Sequence, residues 1–363
     1  MIAKPQFNWE LGTAYDLFIS LDVLHEPARF GLRGNWAAGV RSRLPTKQRE
    51  FLQDVLKYHH VWTIPWLISL PQPKNSETVL GILEEIPPAR RLPDVMGAHM
   101  NQKYTEILYP VAEQGKWNED DKQALYDLKV ADHKKEGKKK KVSDDQIEMT
   151  LNIWANPAKF GEDWLGALNT YYEVFFHEEE ARILSGLVQS TIQAQALAEQ
   201  LPFAELLNEL SQGLRFDCGG TENIKELIMI PSFWTTPLTY LGKLGEDEER
   251  WVFVFGGRPS GMSLVPGELV PELLHNTLKA LADPTRLRIL KYLSEEPLTP
   301  AELARRLRLR PPTVSHHLDA LRLARLVHVT LSKQGRRYEA RREAIDATCA
   351  LLDGFLNGEL PDL

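Results

Sequence analysis

Hydrophobic positions along the last quarter of this chain fall into short helical stripes separated by proline-marked breaks. Leu274, Leu278 and Leu281 recur at i, i+4 and i+7 and predict a first helix. Asp283-Pro284 ends it and starts a second, because proline lacks an N–H and suits a first turn. Leu287, Leu290 and Leu293 are expected on the inner side of that helix. Thr299, with Glu302 three residues on and Pro300 between them, is a capping-box pair, and Leu303 and Leu307 give the third helix its stripe. Pro311-Pro312 opens a fourth, in which Val314, Leu318 and Leu321 form one apolar face. His316 and Asp319 point away from that face, with Thr313, Ser315 and His317 on its flanks. Val327, Val329 and Leu331 then alternate as a half-buried strand, Ser332-Lys333-Gln334-Gly335 turns the chain, and Arg336, Arg337 and Tyr338 begin the return. Ile345, Cys349, Leu352 and Leu356 stripe a last helix. Short helices followed by a basic hairpin form the layout of a winged helix-turn-helix, and a polar face behind an apolar one suits a helix that enters a major groove.

The longer part before it reads as mainly helical. Leu17, Phe18, Leu21 and Leu24 share a helical face, and Thr46 is placed to start a helix reaching Lys57, with Phe51, Leu52 and Val55 inside. Further helices are expected over 76–86, 100–112 and 119–131. Residues 163–200 lack proline and predict one extended helix or two joined near Gly186, burying Trp164, Leu168, Tyr172, Phe175, Ile183, Leu187 and Val188. A short β unit near 225–256 follows, with strands at Leu227–Ile230 and Trp251–Phe255 and the polar turn Glu246-Asp247-Glu248-Glu249 between them. Gly256-Gly257-Arg258-Pro259-Ser260-Gly261 reads as a linker. The expected fold is therefore mainly α with small β elements. A large helical N-terminal domain (1–262), suited to sensing or dimerisation, precedes a C-terminal winged helix-turn-helix domain (266–358).

Charge sorts the chain at the same boundary. Between Lys279 and Arg342 fifteen cationic residues face six acidic ones, a net of +9; with −7 for the whole chain, everything outside that stretch sums to −16. A basic module on an acidic chain is an electrostatic footprint for nucleic acid, supplying affinity rather than sequence choice. With 363 residues there is room for two or three domains, and no apolar run approaches the ~20 residues of a bilayer span. The first residues, Met-Ile-Ala-Lys-Pro-Gln-Phe-Asn-Trp-Glu, lack the apolar core of a signal peptide. Cysteine occurs only at Cys218 and Cys349, so no disulfide framework is expected and a reducing cytoplasm fits. Cys349, on an apolar stripe, reads as a small buried hydrophobe, and Cys218 as an incidental loop thiol.

The runs Ala-Asp-Pro-Thr-Arg-Leu-Arg-Ile-Leu (282–290) and Thr-Val-Ser-His-His-Leu (313–318), at this separation, closely resemble the ArsR/SmtB-like bacterial transcriptional repressors over roughly residues 270–357. The resemblance implies a dimer on a short palindromic double-stranded DNA operator. Thr313, Ser315, His316 and His317 would meet bases or nearby phosphates, Lys333, Arg336 and Arg337 would hold the wing, and Arg310 and Arg325 the backbone. It also implies dimerisation through Leu274, Leu278 and Leu281 of the first helix and Ile345, Leu352 and Leu356 of the last. The first stripe is equally readable as intramolecular core, the last less so. Many members of the family sense metals, and here the chain departs. The thiolate-type positions hold Thr299, Ala301 and Ala304, and Arg342, Ala344, Phe355 and Gly358 stand near the zinc-type positions. Without ligand chemistry at ligand spacing, no metal or other cofactor is expected. Pro311, where the family often has a polar residue such as Gln or Ser, is a second departure, at one potential base contact of the reading helix.

Three features of the N-terminal part bear on chemistry. His177-Glu178-Glu179-Glu180-Ala181 starts like a helical zinc-protease motif, but Ala181 stands in place of the second histidine, so a solvated helix face is expected. The run Lys134–Lys141 reads as a loop before a helix capped by Ser143, with a supplementary phosphate contact as its other reading. All nine tryptophans precede residue 263, giving that part the aromatic surface from which a small-molecule effector pocket could be built, or simply a core. No nucleophile–base pair or phosphate-binding glycine loop appears, so no catalytic residue is assigned. Two rivals stand beside the regulator: an enzyme in 1–262 regulated by the reader, and a winged helix that binds protein rather than DNA.

Overall fold

A computed structural model describes residues 4–358 except 59–62, 98–99, 136–141, 217–222, 246–248, 260–261 and 333–334. Trp62, the lysines of 136–141, Cys218 with its glycines, Glu246-Asp247-Glu248, Ser260-Gly261 and Lys333 thus lie outside the described residues. The chain opens with strand β1 (Gln6–Trp9) and helices α1 (Thr13–His25), α2 (Gly34–Ser42), α3 (Thr46–Tyr58) and α4 (Ile64–Ser69). Next come α5 (Ser76–Glu85), α6 (Pro88–Val95), α7 (Gln102–Gln114), α8 (Glu119–Lys135) and α9 (Asp144–Ala155). Helix α10 (Pro157–Tyr171) runs through a π turn (Tyr172–Phe176) into α11 (His177–Gln200), followed by α12 (Phe203–Leu210). Strands β2 (Leu214–Phe216), β3 (Glu226–Ser232), β4 (Tyr240–Lys243) and β5 (Arg250–Gly256) lead to the reader. The reader comprises α13 (Glu272–Leu281), α14 (Pro284–Leu293), α15 (Pro300–Leu307), α16 (Pro311–Leu323), β6 (Val327–Ser332), β7 (Gly335–Ala340) and α17 (Arg342–Asn357). Mainly α with small sheets is the observed class. No helix among the described residues is long and apolar enough to cross a membrane.

The sheet of the long part has the order β1-β3-β5-β4, parallel except for β4. Strands buried on both faces are apolar at every position, as Leu227–Ile230 and Val252–Phe255 are. Ile228, Ile230, Val252 and Val254 face the main helical core, whereas Leu227, Met229, Phe253 and Phe255 join Phe203 and Leu207 in a second layer. The two strands found in the sequence are therefore parallel neighbours, and β4 lies between them in the chain. Strands β1 and β4 were not anticipated.

In the long helical run, the joint is the π turn rather than Gly186. Gly186 serves another purpose: a Cβ there would stand 3.0 Å from Pro259 Cδ, so the glycine lets the linker lie against α11. Trp164, Leu168, Phe175, Ile183 and Leu187 are buried as expected, but Val188 is exposed on the outer side of α11. The tryptophans are largely core: Trp164 and Trp234 are fully buried, and Trp36 stacks on Trp234 at 6.2 Å. Asp16, buried beneath them, accepts bonds from Ser232 Oγ (2.5 Å) and the amides of Phe233 (3.0 Å) and Trp234 (3.1 Å). Glu179 and Glu180 of the protease-like run are structural. Glu179 pairs with Arg182, while Glu180 accepts from Thr13 and from the amide of Ser76.

The two expected domains are joined by more than the linker. Arg182 donates to the carbonyl of Ser263 (2.9 Å), and Arg258 pairs with Glu272 of α13 at 2.9 Å. Strand β2, which precedes the N-terminal sheet's core strands, belongs to the other sheet, whose order is β2-β6-β7.

Candidate nucleic-acid interface

The reader's helices start where the sequence chemistry places them. Asp283 caps α14 by accepting from the amide of Arg286 (2.9 Å), and Pro284 fills the first turn. At α15 both halves of the capping box form: Glu302 N donates to Thr299 Oγ1 (3.3 Å), and Thr299 N donates to Glu302 Oε2 (2.7 Å). Arg308 ends α15 in the left-handed region (φ 55°), which turns the chain sharply into α16. Helix α16 then buries Val314, Leu318 and Leu321 against Ile289, Leu293, Leu303 and Leu307. One expectation fails: Leu287 is 49% exposed, and Ile289, Leu290 and Leu293 form the inner face of α14. An i, i+3, i+6 run drifts off the axis, leaving Leu287 about 115° from the centre of that face.

With its apolar side fixed, α16 presents Thr313, Ser315 and His316 to solvent, with Arg310 exposed as the residue before its first turn. His317 is half-buried, its Nδ1 3.9 Å from Asp283 Oδ1, so it is placed to steady the turn between α13 and α14 as well as to reach DNA. Beside this face rises the wing. Ser332 donates to the carbonyl of Gly335 (3.1 Å), and Val329 faces Tyr338 across the hairpin. Tyr338 also pairs through both backbone groups with Leu298, tying the wing to the start of α15. Arg336 and Arg337 are exposed on β7, but they differ. Arg337 donates to the carbonyl of Pro297 (3.1 Å), whereas Arg336 lies within electrostatic reach of Asp319 and Arg322 on α16. Burial raises the Asp319 carboxyl above its ordinary range, and Arg322, Arg336 and His316 pull it back.

Arg325 departs from its expected role. It follows α16, half-buried with φ 57°, and its charged neighbours are Arg258, Arg341 and Glu272. Burial and the two arginines push its pKa down. It belongs to the junction with the linker, near the opposite end of α16 from the exposed Thr313 and His316. The strand β6 also differs from a half-buried one. His328, on the side expected to face solvent, is buried and sits 3.0 Å from Glu343, because β2 lies along β6.

Of the apolar stripes, Leu274 is buried within its own chain, Leu281 and Ile345 are half-buried against the reader's core, and Leu278 is 41% exposed. On α17 the inner face is Thr348 and Leu351. Cys349 is exposed rather than buried, Leu352 half-buried and Leu356 72% exposed. The residue that sequence reasoning passed over is Arg322. Its signal was available, since Ser315, Asp319 and Arg322 fall at i, i+4 and i+7 along one flank of α16, where Arg322 is half-buried.

A family model described as bacterial regulatory protein, arsR family, matches residues 283–329. The chain is similar to the transcriptional repressor SdpR of Bacillus subtilis, 35% identical over 54 residues that cover 15% of this chain and 60% of that protein. It is also similar to the HTH-type transcriptional regulator Rv2034 of Mycobacterium tuberculosis, 40% identical over 77 residues, or 21% of this chain and 72% of that protein. The chain thus spans 60% of the length of the first relative, and every match lies in the C-terminal part. No solved structure matches.

Proposed function

Because the chain belongs to the arsR family of bacterial regulatory proteins through its C-terminal part, we propose that it is a transcriptional repressor. It acts as a two-fold homodimer on a short palindromic operator. The observation that carries this reading is the exposed row of Thr313, Ser315 and His316 on α16, with Arg310 before it and Arg336 beside it. Such a row offers base edges hydroxyl and imidazole groups while guanidinium groups meet the flanking phosphates. Leu278, Leu352 and Leu356, which are not packed away inside the chain, favour a second copy across α13 and α17.

The effector, in this reading, is not a metal. The family's ligand positions hold Thr299, Ala301, Ala304, Arg342, Ala344, Phe355 and Gly358, and no group of three His, Cys, Asp or Glu side chains converges among the described residues. An organic or protein effector acts through residues 1–262, which serve as sensor rather than enzyme. Coupling to the reader runs through β2 and the Arg258–Glu272 pair. The direct test is capture of genomic fragments by the purified protein, followed by sequencing. Recovery of a shared inverted repeat is expected; random recovery, or none, would sink the reading.

A further inference from the structure

The outward face of α11 lacks charge. Residues 183–198 include no Asp, Glu, Lys, Arg or His, although the chain's charged fraction of 26% would place about four there. A helix on a domain surface ordinarily turns charged residues outwards. Here the outward positions include Leu184, Ser185, Val188, Gln189, Ile192 and Gln193, all exposed, Ile192 at 61%. Leu184, Val188 and Ile192 are spaced by four and form one continuous ridge, beside a parallel ridge of Ser185, Gln189 and Gln193. The adjoining charges stand at the two ends: Arg182 is turned to Glu179 and the Ser263 carbonyl, and Glu199 closes the far end. Ile183, Leu187 and Ala194 already bury the opposite side of the helix, so the ridge is not needed to anchor it. Gly186, against the linker at Pro259, lies about 160° around the axis from the centre of the ridge. A partner on the ridge thus sits on the far side of α11 from the linker that leads to α13, separate from the contact across α13 and α17.

The missing charge selects the partner. A different protein is met with complementary charge, which steers encounter and rejects wrong partners, and this ridge has none to offer. A second copy across a two-fold axis makes the opposite demand, because residues near the axis meet their own counterparts. A lysine or glutamate there would repel itself, whereas an apolar side chain packs on itself and a glutamine amide, both donor and acceptor, can bond its twin. Antiparallel pairing about Val188 sets Leu184 against Ile192 of the other copy, lets the two ridges interdigitate and opposes the helix dipoles. We propose that the ridge of Leu184, Val188 and Ile192 is a self-association surface, through which one dimer joins the next. The strip is small. Sixteen residues of helix present roughly 24 Å by 10 Å, far below the ~800 Å² per partner of a stable free complex. The contact is therefore weak in dilute solution and closes where copies are crowded together. It needs no DNA.

The test is light scattering of the full-length protein without DNA, from about 1 to about 500 µM, a range that populates contacts with Kd near roughly 100 µM. The weight-average mass should level off at the low end and climb again at the high end. Val188→Lys and Ile192→Lys, both at exposed positions, should each weaken the association behind that climb at least tenfold, with circular dichroism checking the fold. Gln123→Lys, an equal charge change on the exposed side of α8, should leave it unchanged. A wild-type mass that stays flat to the upper limit overturns the proposal. So does a climb that Val188→Lys and Ile192→Lys leave intact, or one that Gln123→Lys weakens equally. A climb removed by Leu352→Lys with Leu356→Lys but kept by Val188→Lys assigns the association to α17 and overturns the ridge while leaving the dimer of the proposed function in place.

Discussion

Arg215, in a strand contributed by the N-terminal part, places its Nη1 2.6 Å from Glu339 Oε2 on the return strand of the wing. The pair closes over a parallel junction in which Val329 N donates to the carbonyl of Gly213 at 2.8 Å. An exposed β6 edge would invite pairing with another chain; β2 covers it. The wing is thus shaped in part by residues more than a hundred positions earlier.

The junction's strength should sit in its backbone rather than in its ion pair. Arg215 and Glu339 are each about two-fifths exposed (42% and 41%), so Arg215→Ala should cost no more than about 1 kcal/mol. Gly213 has φ 121°, and a Cβ there would stand 3.1 Å from the Val327 carbonyl oxygen. Gly213→Val should therefore cost roughly 1–3 kcal/mol and weaken DNA binding without touching the reading face. Urea unfolding and a duplex titration on both variants decide the matter. Equal, small effects from the two would show that β2 does not hold the wing.

The same junction should loosen in mild acid. Burial holds the His328 pKa below its ordinary range, with Arg215 acting in the same direction and Glu343 opposing. A histidine depressed in the folded state contributes stability that is present above its unfolded pKa, near 6.5, and lost as pH falls below it. Unfolding midpoints at pH 7.5 and 5.5 should therefore differ more for the wild-type protein than for His328→Gln. A parallel decline of the two would remove His328 from the explanation.

Reading and gripping should separate by residue. His316→Ala should alter the sequence preferred in a selection from random DNA, since one base contact is worth about 1–3 kcal/mol of discrimination. Arg336→Ala should leave the preferred sequence intact and reduce the salt slope by about one. Arg337→Ala should change the slope less, because Arg337 is engaged by the Pro297 carbonyl. The same motif recovered with His316→Ala as with the wild-type protein would remove it from the readers.

How far the chain was legible follows from how local each signal is. The caps of α14 and α15, the buried face of α16 and the hairpin register are short-range features, and they formed where proline, capping and alternation placed them. Leu287 misled because a three-residue spacing was read as one face although it drifts. The positions of Arg325 and His328 depend on contacts between distant segments, and no spacing within the sequence encodes those. Nor does any local pattern announce that Leu214–Phe216 leaves its neighbours for the reader's sheet.

The outward stripe of α17 should set the oligomeric state. Leu356 is nearly bare and Leu352 half-buried, while Thr348 and Leu351 already secure α17 to its own chain. Leu352→Lys with Leu356→Lys should thus leave the fold intact and convert a dimer to a monomer. Operator affinity should then fall by more than tenfold, because each half-site must bind alone. Light scattering with a duplex titration checks both halves, and an unchanged mass would move the interface elsewhere.

Metals should leave DNA binding alone. A ligand shifts a conformational equilibrium only through unequal affinity for its two states, and a metal needs hard or soft donors held at coordinating distance to have any affinity worth differing. Helix α15 offers Thr299, Ala301 and Ala304, with the threonine hydroxyl already engaged in its capping box. At the family's other site, Arg342 brings a positive charge and donates to the Ser294 carbonyl (3.3 Å), and Ala344 carries no donor. Zinc, cadmium, arsenite or a chelator should therefore change the affinity of the full-length protein for a selected operator duplex by less than twofold. Release of that duplex by micromolar zinc or arsenite would show that a donor set exists after all and return the sensor to the reader itself.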